Sequence, residues 1–305
     1  MTTVPVLQAI VEIFGLFGIG WFARRKGYVR EEDIGRWSRF ILDLLFPAYI
    51  FSSITQGFDP EKLGALWPLP FLGLGLVLFG VASGWILRFG LPGRDSDTRR
   101  TFLHFCAVNN SAYLPIIIIR NLWGESALAN LFFFNLGTTL GVWTIGIGVL
   151  GNRDVSRSLG SLVTPNLIAV LAALSVSLAG IVHFIPSALR SVISTAGSAA
   201  VPIMLILIGS SFYRKGILKL SWPVLYASAV RLLILPVLAV FILNTLPVSR
   251  EVYQITLIVA LMPVAVSSTI FTIRYGGNPD FAAQTSIVTT LAAAITVPVA
   301  LTILL

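Results

Sequence analysis

Apolar residues run through this chain in stretches of about twenty, separated by short polar connections. The pattern predicts ten membrane-crossing helices at 4–23, 37–56, 66–90, 100–121, 126–150, 161–184, 189–212, 222–245, 253–274 and 280–304. Each is long enough to cross a hydrocarbon core about 30 Å thick. Two stretches are broken at their centres by turn chemistry. FCAVNNSAYLPIIIIR holds Asn109, Asn110 and Pro115, and IVALMPVAVSSTIFTIR holds Pro263. In lipid, a backbone that leaves its helical hydrogen bonds mid-span is tolerated only where protein or a water-filled cavity receives the freed groups. Two such breaks at corresponding places point to a transport site.

Composition places the chain in the membrane: 56% of residues are hydrophobic, 11% are charged and the mean hydropathy is +0.90. Soluble domains carry about 25% charged residues. No signal-peptide cleavage pattern interrupts the first apolar segment, which is read as a mature helix. The net charge of +8 is a matter of topology, because the basic residues sort by connection. Arg24, Arg25, Lys26, Arg30, Arg36, Arg39, Arg88, Arg94, Arg99, Arg100, Arg153, Arg157, Arg214, Lys215, Lys219 and Arg274 fall in or at the edges of the connections that follow odd-numbered spans. The other connections hold only Lys62, Arg120, Arg190 and Arg250. The positive-inside rule then makes the first group cytoplasmic and puts both termini outside. No nucleic acid partner is expected. Cys106 stands alone, so a disulfide framework or a Cys-based metal site cannot form within one chain.

Five spans per half make the second half enter the membrane in the opposite sense, so 1–152 and 153–305 are read as inverted repeats, with the link near Gly151–Gly160 as boundary. Pro47 answers Pro202, the Asn109–Asn110 break answers Pro263, and Arg120 answers Arg274, at offsets of 154 or 155 positions.

A broken helix leaves unpaired N–H groups where its second half begins, which favours an anion without any cationic side chain. The substrate-binding candidates are Asn109, Asn110, Ser111 and Tyr113 in span 4 and Pro263, Val264 and Ser267 in span 9. Ser52 and Asn135 are further candidates for the same cavity. The competing reading of both breaks is a proline kink healed by a neighbouring helix. Glu12, Asp43 and Arg231 lie inside spans, where each costs about 2.5–3.5 kcal/mol at mid-helix unless partnered. Glu12 is a proton-carrier candidate or a structural bond. Asp43 pairs locally with Arg39, and Arg231 counters a substrate anion or an acid. His104 is a proton-relay candidate or a hydrogen-bonded helix-end residue. Asn135, Thr138 and Thr139 give span 5 a polar face, and Gln284, Thr285, Ser286, Thr289 and Thr290 give one to span 10. Neither a phosphate-binding G-x-x-x-x-G-K-[ST] loop nor H-E-x-x-H occurs, so no nucleotide-driven pump, metal hydrolase or cofactor is expected.

The segments NNSAYLPIIIIRNLWGESALANLFFFNLG, PNLIAVLAALSVSL, AAVPIMLILIGSSF and ALMPVAVSSTIFTIRYGGNPDFAAQTSIVTT together resemble the auxin efflux carrier superfamily in its short bacterial form. The likeness covers nearly the whole chain. Family members often have Gly where this chain has Ser111 or Ala112. The ionisable groups of plant members are missing from span 3, Leu66 to Leu87, so coupling chemistry does not carry over. The resemblance implies a ten-helix fold shared with bile-acid symporters and sodium/proton antiporters, in which spans 4 and 9 cross at their broken centres. It further implies a scaffold of spans 1, 2, 6 and 7, a moving domain of spans 3–5 and 8–10, and a dimer. The expectation is an all-α polytopic secondary transporter of a small organic anion, multi-pass in the bacterial inner (plasma) membrane and working by elevator-type alternating access. The alternatives are a gated anion channel and a non-transporting membrane sensor that use the same cavity.

Overall fold

Helix boundaries follow the caps. In the computed structural model, which describes residues 3–93, 95–151, 163–213 and 219–305, the helices are α1 (Thr3–Arg25), α2 (Glu31–Gly57), α3 (Pro60–Gly90), α4 (Ser96–Ala107), α5 (Tyr113–Trp123), α6 (Glu125–Gly146), α7 (Pro165–Leu178), α8 (Ser187–Ser211), α9 (Trp222–Leu243), α10 (Arg250–Ala260), α11 (Ser268–Tyr275) and α12 (Pro279–Leu304). Seven of them, α1, α2, α3, α6, α8, α9 and α12, are long and apolar enough to cross a membrane. Among the described residues there is no strand, only one isolated bridge. Phe71, Trp85, Phe89, Phe241 and Ile295 are more than half exposed, as side chains facing lipid would be. The chain is thus an all-helical, multi-pass membrane protein.

The helices depart from the expected spans by a few residues at most ends, and at two of them the local reason is plain. α2 starts at Glu31, before the apolar run, because Asp33 accepts from the Arg30 N–H at 2.9 Å and three acids occupy the first turn. α7 ends at Leu178, short of 184, because Gly180 takes a φ of 67° and a 3₁₀ turn at Val182–Phe184 leads to Pro186. At the start of α4, Asp95 accepts from the N–H groups of Asp97 and Thr98, and the Thr98 hydroxyl beside it holds its carboxyl below the usual range. The expected boundary between residues 152 and 153 lies outside the described residues, as do Arg94, Arg153, Arg157, Arg214 and Lys215.

Three helices contain a wide π-type turn: Ile41–Leu45 in α2, Val142–Gly146 in α6 and Val230–Ile234 in α9. Pro47 and Pro236 explain the first and third, since neither has an N–H for the carbonyl four residues back.

The chain groups into two compact units. Unit 1 comprises Met1–Leu66, Ile116–Phe133 and Val163–Lys215, so it holds α1, α2, α7, α8 and most of α5. Within it α1 and α8 touch backbone to backbone. A Cβ on Gly20 would collide with the Ile206 carbonyl, and one on Gly209 with the Phe17 backbone. Phe132 meets Phe46 and Tyr49 edge to face, with centroids 6.2 and 6.0 Å apart. Arg120 pairs with Glu12 and, at 3.9 Å, with Glu125, whose other oxygen accepts from the Tyr49 hydroxyl at 3.1 Å.

Unit 2 comprises Trp67–Pro115, Phe134–Leu162 and Gly216–Leu305, with most of α3, α4, most of α6, and α9 to α12. Its core includes Phe102, Phe105, Val224, Val230, Val264 and Phe281. Gly137 of α6 lies against the Pro70 carbonyl of α3, leaving no room for a Cβ. Asn278 caps α12 by accepting from Phe281 N–H at 3.0 Å, while its own backbone N–H donates to the Thr101 hydroxyl of α4 at 2.8 Å.

Candidate functional site

Helix α4 ends at Ala107 because Val108 turns to extended backbone, φ −115° and ψ 105°, and helical structure resumes only at Tyr113. α10 likewise ends at Ala260, and α11 begins at Ser268. The interruptions fall at the predicted places and are joined within unit 2. Asn109 and Val264 form an antiparallel bridge, and Asn110 N–H donates to the Pro263 carbonyl at 2.9 Å. The Asn109 side-chain amide donates to the carbonyl of Val259 in the last turn of α10. Pro263 lies within its gap, which needs no donor there. Pro115 follows its gap, in the first turn of α5, where a missing N–H costs nothing.

Four freed ends result. The C-terminal carbonyls of α4 and α10 carry partial negative charge, and Arg231 meets them in the wide turn of α9. Its Nε donates to Met262 O at 2.9 Å, and its two terminal nitrogens donate to Cys106 O and Ala260 O, each at 3.2 Å. Arg231 is only 4% exposed, so one cation serves the ends of both broken helices in a place water does not reach. Among the described residues its partners are backbone carbonyls and not an acid, which was one of the two roles the sequence offers it.

The N-terminal ends are furnished differently. Asn110 Oδ1 accepts from Tyr113 N–H at 3.2 Å and so caps α5. Asn110 Nδ2 has no partner among the described residues, although the side chain is 4% exposed. Beside it, Asn135 of α6 donates to Ser111 O at 3.0 Å, leaving its Oδ1 and the hydroxyl of Thr138, one turn on, without partners among the described residues. At the head of α11 the hydroxyl of Ser268 is fully buried and has no partner among the described residues, whereas Ser267 is exposed. Ser286 of α12 reaches the Ala265 carbonyl at 3.3 Å, and the Thr285 and Thr290 hydroxyls are also unpaired among the described residues. Each buried polar group left unpaired costs about 1–3 kcal/mol. Buried polar groups of this kind call for a partner such as an ordered water or a polar guest.

His104, on α4, hydrogen-bonds through Nδ1 to Gly146 O in the wide turn of α6 at 2.7 Å, packs edge-on against Phe271 and leaves Nε2 without a partner among the described residues. Three candidates belong to unit 1. Glu12 pairs with Arg120 and accepts from Asn121 at 3.1 Å. Asp43 pairs with Arg39 at 3.2 Å. Ser52 accepts from Gln56 at 2.7 Å and lines a cavity of that unit. The carbonyl-capping role of Arg231 has no sequence signal beyond the rarity of a charge in an apolar span. Ser268 directly follows the candidate Ser267, and nothing in its spacing sets it apart.

A protein-family model described as a membrane transport protein matches residues 5–301. An uncharacterized transporter of Methanothermobacter thermautotrophicus is 23% identical over 299 residues, covering 95% of this chain and 96% of that protein. An uncharacterized transporter of Methanocaldococcus jannaschii is 19% identical over 290 residues, covering 93% and 94%. Since the family match runs across nearly every helix and both interruptions, in agreement with the resemblance of the motifs, the chain belongs to the membrane transport protein family, whose members are transporters and not enzymes.

Proposed function

We propose that the protein is a secondary transporter of a small organic anion, and that the cargo binds where the two interrupted helices meet. The observation that carries the reading is Asn110. Its carbonyl oxygen is spent on capping α5, and its buried amide nitrogen has nothing to donate to among the described residues. A carboxylate oxygen satisfies that donor and lies favourably at the N-terminal ends of α5 and α11. Asn109, Ser111, Tyr113, Asn135, Pro263, Val264 and the start of α11 at Ser267 and Ser268 complete the surroundings. Arg231 removes the competing negative ends.

The broader architecture belongs to the same proposal: ten spans in two inverted repeats, with both termini outside and the broken helices as spans 4 and 9. Support comes from the parallel between halves. α5 and α11 both follow an interruption, and both end at a glycine of positive φ, 82° at Gly124 and 102° at Gly276. An elevator mechanism would have unit 2 carry the cargo, since it contains every substrate-binding candidate except Ser52. The sequence reading puts the protein in a bacterial inner membrane; the two relatives are archaeal transporters.

Asn110→Asp tests the site. The aspartate still accepts from Tyr113 N–H, so the helix start is kept, but the free donor becomes an acceptor. In proteoliposomes offered a panel of mono- and dicarboxylates, with and without a pH gradient, the parent should show saturable uptake. The variant should lose at least about ten-fold while melting within a few degrees of the parent. Uptake by the variant at the parental rate for every accepted anion would remove Asn110 from the site.

A further inference from the structure

Unit 1 contains a half-open cavity of about 240 Å³ between α2 and α8, remote in sequence from the interruptions, with Gln56, Ser187, Arg190 and Ser191 exposed at its mouth. On α8, Ser187, Arg190, Ser191 and Ser194 follow the spacing of one helix face and all line it. Phe51, Ser52, Thr55 and Gln56 line it from α2, and Val182 from the 3₁₀ turn. No Asp or Glu is among the lining residues. Arg190 has no acidic partner among the described residues, and its neighbours on the serine face leave their hydroxyls uncommitted, whereas Thr55 and Ser52 are spent on α2 itself. The remaining wall, built by Phe51, Val182 and Ile193, is apolar.

We propose that this cavity is a second anion site, which takes an amphiphilic anion with its charged oxygens on Arg190 and the α8 serines and its hydrocarbon against Phe51 and Ile193. A guanidinium recognises carboxylate and phosphate through the same pair of N–H groups. The shared chemistry therefore has two sources, a free fatty-acid-like carboxylate or the phosphate of an anionic phospholipid. The cavity is smaller than the roughly 300–1,000 Å³ of pockets that enclose drug-sized ligands, which suits a head group with a few methylenes. The site is independent of the transport reading, since all its residues lie in unit 1.

The test uses the full chain in the Asn110→Asp background, so that carboxylate binding at the interrupted helices does not contribute. Octanoate is titrated into protein held in phosphatidylcholine nanodiscs, and retained phosphatidylglycerol is counted by native mass spectrometry after extraction from mixed vesicles. Arg190→Gln should weaken octanoate binding or phosphatidylglycerol retention at least ten-fold, whichever the parent shows, and Arg190→Lys should restore part of it. Ser194→Phe keeps the charge but fills the cavity, and should have the same effect as Arg190→Gln. Loss of octanoate binding identifies a free anion; loss of phosphatidylglycerol alone identifies a lipid. Absence of both ligands from the parent, or equal binding by parent and Arg190→Gln, overturns the proposal, whatever the transport assays give.

Discussion

The backbone N–H of Asn110 donates to the carbonyl of Pro263 across 2.9 Å, tying the middle of one interrupted helix to the middle of the other. Neither segment could satisfy itself. Each has left its own helical ladder, and each supplies what the other lacks. The Asn109 amide adds a side-chain bond to Val259 O in the same pairing.

Asn109→Leu should therefore destabilise the protein by about 1–3 kcal/mol, because the Val259 carbonyl loses a partner in a buried place. Asn109→Asp should be at least as damaging, since it sets an acceptor against an acceptor. Thermal unfolding in detergent reads both, and unchanged midpoints would show the pairing to be dispensable.

Arg231→Leu should cost more than any other single substitution in unit 2. Three buried carbonyls would lose donors at once, and hydrogen bonds to a charged group are worth about 1.5–3 kcal/mol each. Arg231→Lys keeps the charge but offers no fork, so it should recover only part. The expected readout is poor recovery of monodisperse Arg231→Leu on size exclusion, with Arg231→Lys between it and the parent.

Glu12 and Arg120 should show coupling of about 1 kcal/mol or less in a double-mutant cycle, because both side chains are about one-third exposed. Arg120→Leu should hurt more than Glu12→Gln, since it strands Glu12 and Glu125 together. If uptake in Glu12→Gln also loses its response to a pH gradient, Glu12 is a proton carrier as well as a structural partner. An unaltered response would leave it the structural role alone.

Gly137→Val should disrupt packing between α6 and α3, where the Pro70 carbonyl fills the space a side chain would need. Overpacking of this kind costs about 1–3 kcal/mol or more. Gly148→Val, facing open space, serves as the control and should melt with the parent.

Much of this was legible in the chain. Stretches of about twenty apolar residues declare membrane helices because lipid forbids unpaired backbone, and Asn109, Asn110 and Pro263 declare interruptions because nothing in their own segments can repair them. The family resemblance rests on the same residues. Less legible was the fate of each polar group. Glu12 and Arg120 stand 108 positions apart, and no periodicity links them. Ser267 and Ser268 are neighbours of like chemistry, yet one is exposed and the other buried. Residue order and hydropathy alone determined that the chain crosses the membrane many times and where its helices must break, since both follow from local hydrogen-bonding rules. Which atoms receive the freed ends was decided only by tertiary structure: Arg231 reaches three carbonyls on the two interrupted segments, and a contact of that kind depends on distances in space that spacing along the chain does not encode.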